Sequence, residues 1–448
     1  MRHWRFALLA SFLGAGACNF DLNTNPNSPD PIGENPSRGL VSANANGMLI
    51  AIRQDVQDFA LDVGILGREV LRIDGSDPRF ISELLIGSLD PGGDAFGGDH
   101  WFDQYTAIGG GNRLLAVLPT AEALTDAEKS ATAGFVRTIQ AYSFLMVLNA
   151  HTQDSIPIDI PIDITAPPPP FVSNVAAYDH VVSLLDLART DLQAGGAAFP
   201  FTLPPGFTGF NTPAAFVQFN RALRARVAAY RLDWAGVLAA LTESFLVDPA
   251  APLDRGVYMD YGTGAGDFAN PLSQDPTAGE NFAHQQLDTL AQLQTDGVTQ
   301  DRRFVTKTVS RASSTTNGFS SDLGWIRYPS PSSPIPLIKV EELILLRAEA
   351  NINLGDLTTG LTDINTVRQT SGGLPPAAPF VDQTAAITEL LYNRLFSLLY
   401  EGGHRWIDLR RYGRLAVFPA GDLPISRADG PEVVFSTFPV PRDEVLAR

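Results

Sequence analysis

The stretch Val340-Glu341-Glu342-Leu343-Ile344-Leu345-Leu346-Arg347-Ala348-Glu349-Ala350-Asn351-Ile352-Asn353-Leu354-Gly355-Asp356 decides the fold. Leu343, Leu346, Ala350 and Leu354 recur at helical spacing and make one apolar stripe. Gly355-Asp356 breaks it, and Leu361, Ile364 and Val367 resume it in a partner helix. So short a break forces the two helices to run antiparallel.

The same unit returns along the chain. Thr125-Asp126-Ala127-Glu128 is a capping box ahead of the stripe Phe135, Ile139, Tyr142, Met146. Tyr178, Val181, Leu185, Ala188 and Leu192 form the next stripe. Thr212-Pro213 sets an N-cap before a proline at the first helical position, and Phe216, Phe219, Leu223, Val227 and Tyr230 follow. A break at Leu232-Asp233 separates these from Trp234, Val237, Leu238 and Leu241; Ile387, Leu391, Leu395 and Leu398 make one more stripe. The pattern predicts a mainly α protein with little β, built of stacked helix pairs as in tetratricopeptide arrays, although no strict repeat consensus is met. Residues 154–175, 193–211, 248–282 and 311–336 are rich in Gly, Pro or Ser and read as long irregular loops. Loops that long on a rigid scaffold point to a binding face.

Composition narrows the function. The 448 residues are 44% hydrophobic, which suits a large core. A formal charge of −17 argues against nucleic acid, which needs clustered Lys and Arg. Basic residues in Met1–Arg5, the apolar run Phe6–Leu13 and Ala15-Gly16-Ala17 make a secretory signal of residues 1–17. Cys18, the one cysteine, follows directly and resembles the acylated cysteine of a bacterial lipobox, with Ala15 where Leu is commoner. Lipid on Cys18 would hold the protein to a membrane. Residues 18–38, rich in Asn and Pro, read as a tether, and residues 39–448 as one body.

Catalytic signatures are missing. The sequence has no phosphate loop, no His-Glu-x-x-His helix and no Gly-x-Ser-x-Gly elbow. Gly262-Thr263-Gly264-Ala265-Gly266 follows no strand pattern and reads as a loop. The six histidines show no zinc spacing. Asp90, Asp94 and Asp99 lack the alternating ligands of a calcium loop. No metal and no cofactor are expected. Carboxylates paired in space, as in a helical glycoside hydrolase, remain open.

Several stretches together resemble the SusD/RagB family of outer-membrane nutrient-binding lipoproteins. They are Trp101-Phe102-Asp103-Gln104-Tyr105 with Ile108 and Asn112; Pro336 to Ala350 with Gly355-Asp356 and Ile364-Asn365-Thr366-Val367-Arg368; Glu401-Gly402-Gly403-His404-Arg405-Trp406-Ile407-Asp408-Leu409-Arg410-Arg411-Tyr412-Gly413; and Phe438-Pro439-Val440-Pro441-Arg442-Asp443-Glu444. Three positions depart from the pattern: the extra glycine at Gly402-Gly403, Asn393 in place of Glu, and Lys339 in place of Arg. The resemblance implies a right-handed superhelical scaffold, no catalytic residues, a SusC-like TonB-dependent transporter as partner, and capture of an oligosaccharide or a peptide at the outer surface. A helical glycoside hydrolase or a scaffold that binds no solute are the competing readings.

Within the motifs, Glu401, Arg405, Asp408 and Arg410 are expected to form one buried ion-pair network, with Trp101 and Trp406 in the core. Sugars are held by flat aromatic faces beside polar groups, so loop aromatics are the ligand candidates: Trp325, Tyr328, Tyr258, Tyr261 and Phe96, with Asp74 and Asp77. Arg327 beside Trp325 could instead hold a peptide carboxylate.

Overall fold

The computed structural model describes residues 32–92, 96, 98–151, 155–163, 165–247, 251–427 and 430–448. Cys18, the signal, most of the tether and Asp94 lie outside these residues. Helices dominate. They are α1 (Arg38–Leu66), α2 (Arg79–Ile81), α3 (Asp99–Val117), α4 (Asp126–Ala150), α5 (Asn174–Gln193), α6 (Pro213–Tyr230), α7 (Trp234–Leu241), α8 (Gln286–Leu290), α9 (Arg302–Val305), α10 (Val340–Asn353), α11 (Leu357–Thr370), α12 (Gln383–Ser397), α13 (His404–Arg411) and α14 (Arg442–Leu446). No helix among the described residues is long and apolar enough to cross a membrane.

Neighbours in sequence pack as pairs, α3 on α4, α4 on α5, α6 on α7 and α10 on α11, and α1 lies against α3. This is the tetratricopeptide-like arrangement that the stripes predict. Its local causes are those read from the sequence. Thr125 accepts from the Glu128 N–H while Glu128 accepts from the Thr125 N–H, closing the capping box of α4. Thr212 caps α6 ahead of Pro213, and Asp233 and Asp356 cap α7 and α11. Gly355, at φ 91°, makes the left-handed step that turns α10 back into α11. Gly134 lets α4 sit close to α5, because a Cβ there would meet Leu192 and the Ala188 carbonyl. Between α4 and α6, Phe135, Phe199, Phe201, Phe207, Phe216 and Phe219 stack edge and face into one aromatic core.

Among the described residues, eight short strands sit between the helices: β1 (Val70–Arg72), β2 (Ile156–Pro157), β3 (Phe171–Val172), β4 (Gly256–Met259), β5 (Asn281–Ala283), β6 (Thr308–Thr316), β7 (Phe319–Trp325) and β8 (Ile335–Lys339). They make one four-stranded antiparallel sheet, ordered β1-β5-β7-β6, and two two-stranded pairs, β2-β3 and β4-β8. The hairpin β6-β7 corrects the reading of 311–336 as irregular. Thr316 pairs with Phe319 across the two-residue turn Asn317-Gly318, whose φ values are 48° and 81°. Asn-Gly between strand-forming residues, here Thr316 and Phe319, is a hairpin signal, and the Ser-rich composition masked it.

The C-terminal segment returns to the first half of the chain. The Val433 N–H donates to Leu85 O at 2.8 Å, and the Phe438 N–H to Ala150 O at 2.9 Å. Buried Arg68 pairs with Glu432 at 3.1 Å. Trp406 is fully buried, and its Nε1–H donates to Phe435 O at 2.7 Å. Trp101 is equally buried, against Tyr105 and His151.

Candidate functional site

The structure gathers Trp325, Arg327, Tyr328 and Glu401 in one place, at the end of β7 and beyond α12. Tyr400 organises them. Its ring lies 4.6 Å from Trp325 and 5.7 Å from Tyr328, and its carbonyl accepts from the Tyr328 hydroxyl at 2.7 Å. Trp325 and Tyr328 are only 5% and 3% exposed. Both rings therefore belong to the core, which corrects their assignment to a ligand face. Strand β7 alternates sides, and its C-terminal end turns the indole inward.

The polar edge of this cluster faces a cavity of about 300 Å³ lined by Arg302, Lys307, Arg327, Lys339, Glu341 and Glu401, among others. Glu401 Oε1 accepts from Lys339 Nζ at 2.7 Å and Arg327 Nη2 at 3.0 Å, with Lys307 Nζ 3.7 Å away. Burial alone would raise the Glu401 pKa. The three cations outweigh it and hold the carboxyl well below the usual range. The same burial, with Lys339 and Arg327 nearby, pulls Lys307 down to about 7 despite the attraction of Glu401. Lys339 spends its ammonium on Glu401 and the Ser397 carbonyl.

Glu401, Arg405, Asp408 and Arg410 do not form one network, contrary to the sequence reading. Asp408 pairs with Arg394 and with Arg411, while Arg405 donates to Asp422 O and Arg410 to Ser436 O and Asn149 O. Glu401 precedes α13 and is taken by Lys339 and Arg327, while Arg394 from α12 and Arg411 one turn on occupy Asp408. Arg394 and Arg411, not singled out from the sequence, are the true partners of Asp408.

A second group lies on the loop after β1. Asp74 is buried and closes a turn, accepting from Ser76 N–H, Ser76 Oγ and Asp77 N–H and from Arg72 Nη2 at 2.7 Å. Asp77 is held by both arms of Arg79. Phe96 is buried edge-on against Phe80 at 5.2 Å. These three residues serve local structure, in contrast to the ligand role expected of them.

Tyr258 and Tyr261 part company. Tyr261 is buried and donates to Gln57 Oε1 at 2.9 Å, which places it in the core and not on a ligand face. Tyr258 is half-buried and lines a cleft of about 220 Å³ between α1, β4 and the turn at Pro204 and Phe207, with Asn46, Ile50, Arg53 and Asp260. Arg53 reaches Asp267 at 3.4 Å, and its Nε is buried without an acceptor. Burial raises the Asp260 pKa. An aromatic ring, an amide, a guanidinium and a carboxyl around one cleft are the groups that hold a sugar ring. Arg53 and Asn46 were missed because α1 shows no clean apolar stripe. Among the described residues no group of three or more His, Cys, Asp or Glu is placed to hold a metal ion.

Residues 316–437 match the SusD family. No curated protein matches the chain in sequence. Solved structures resemble it in fold. A SusD superfamily protein from Bacteroides fragilis is 16% identical, with 92% of this chain covering 98% of that one at a TM-score of 0.69. A SusD-like carbohydrate binding protein from Bacteroides vulgatus is 14% identical over 92% and 96% of the two chains, at 0.68. A laminarin binding SusD-like protein is 16% identical over 85% and 92%, at 0.63. The sequence pattern of residues 316–437 and the fold of the described chain agree: both resemble the SusD family.

Proposed function

We propose that the protein is the solute-binding subunit of a nutrient importer. It captures an oligosaccharide in preference to a peptide and passes it to a SusC-like TonB-dependent transporter in the outer membrane. The SusD-family pattern of residues 316–437 carries this reading. The anchoring follows from the sequence: a signal of residues 1–17, lipid on Cys18, a tether to residue 38, and the binding body from 39 to 448. Capture takes place at the Tyr258 cleft, where Arg53 has a buried donor to spare.

The test uses the chain from residue 19 onward. Melting temperature is followed against a panel of neutral and acidic oligosaccharides and against peptides. A ligand specific to the folded state raises the melting point by mass action. Stabilisation by one class of glycan, lost in Tyr258→Ser and Arg53→Ala, is the expected result. Stabilisation by peptides alone would replace glycan with peptide as the solute, and a flat response to both panels would refute capture.

A further inference from the structure

The cavity under Glu401 carries more positive charge than the fold needs. Arg303 is neutralised at once by Asp301, at 2.6 and 3.0 Å. That leaves Arg302, Lys307, Arg327 and Lys339 facing Glu341 and Glu401. An excess of cations in a half-buried pocket is costly unless a counter-charge arrives. It is conspicuous in a chain of formal charge −17.

Three further observations agree. One carboxylate oxygen, Glu401 Oε1, serves three cations and cannot satisfy them all. Arg327 Nε is buried with no acceptor. Arg303 Nη1 meets only the neutral oxygens of Asn393 and Ser397, at 3.1 and 3.0 Å, so this wall brings no further carboxylate to the cavity. The hydroxyls of Thr306, Ser371 and Ser397 complete the lining. A volume of about 300 Å³ lies at the small end of the range for ligand pockets and far exceeds that of a bare inorganic ion. The cavity and the sugar cleft are joined through the β4-β8 pair, because Lys339 lines the cavity opposite Gly256 and Tyr258, two residues further along β4, lines the cleft.

We propose that this cavity seats the carboxylate of a uronate residue, so that the captured solute is an acidic oligosaccharide. The inference rests on the capture reading above. The carboxylate would accept charge-assisted hydrogen bonds from Lys307, Arg327 and Arg302.

Titration calorimetry on the chain from residue 19 tests it, with trigalacturonate, its fully methyl-esterified form and sodium sulfate at matched ionic strength as probes. Trigalacturonate is expected to bind at least about tenfold tighter than the ester. Arg302→Gln and Lys307→Met are expected to remove that advantage and leave binding of the ester unchanged. Arg302 is exposed, so its variant keeps the fold, and the melting temperature verifies this. Equal binding of acid and ester, acid binding unaffected by both variants, or a response to sulfate with none to trigalacturonate would each overturn the proposal and leave neutral-glycan capture standing. Failure of every glycan would overturn both.

Discussion

Trp325 lies 4.6 Å from Tyr400 with the two rings inclined by 32°, and Tyr400 holds a left-handed φ of 58°. Packing imposes that backbone conformation, which a bulky residue avoids on its own. Truncating Trp325 therefore removes core. Trp325→Ala is expected to cost about 3–5 kcal/mol of stability. A urea melt checks it. An unchanged midpoint would mean that the indole contributes nothing to the core.

Arg226 on α6 grips Glu342 on α10 with two hydrogen bonds, at 2.7 and 2.6 Å, and a third goes to Leu337 O. Both side chains are buried. Glu342→Gln strands a guanidinium and is expected to cost about 3–5 kcal/mol. The double change Arg226→Leu, Glu342→Leu is expected to cost clearly less than twice that, since neither charge is left alone. Additive losses in a double-mutant cycle would contradict this.

Glu69 and Lys307 give stability a shape in pH. Burial raises the Glu69 carboxyl from 4.5 to about 7, although the Tyr400 N–H, Arg405 and Lys307 pull the other way. Between those values the folded state binds the extra proton, so stability falls as pH rises from 4.5 to about 7. Lys307 is lowered from 10.5 to about 7. There the unfolded state binds the extra proton, so stability climbs from about pH 7 toward 10.5. Glu69→Gln should remove the Glu69 contribution alone, so that the difference in urea midpoint between variant and parent changes between pH 4.5 and about 7 and is constant above that window.

Gly403 caps α13 at φ 65°, and a Cβ there would collide with Val63. Gly403→Ala combines strain with a clash against α1 and is expected to cost about 2–4 kcal/mol. At Gly402, outside the left-handed region, a Cβ would only crowd the His404 ring at 3.0 Å. Gly402→Ala is expected to cost less than about 1 kcal/mol. Equal thermal shifts for the two would show that the left-handed step is unimportant.

The helical frame was legible because its stripes are clean, as at Phe216, Phe219 and Leu223 on α6. Helix α1 was not, since it buries Asp55 and Asp62 among its apolar residues, both within reach of the imidazole of His100 on α3. A buried ion pair looks, in sequence, like an exposed face. The loop aromatics failed for a related reason. Composition marks a segment as irregular, but it does not say on which side of β7 Trp325 falls, or that Tyr261 meets Gln57 across the chain. Tyr258 was found by type, and its companions Arg53 and Asn46 only by contact.

The bonds from Val433 to Leu85 and from Phe438 to Ala150 also set an order in time. The half of the chain made first cannot finish its core until the last residues have been made. Contacts between such distant positions slow folding, because a large loop must close before they are rewarded. A nascent chain that has emerged only as far as α12 holds most of its helices and lacks its clasp. Residues 433–438 thus act as a latch between the C-terminal segment and the first half of the body.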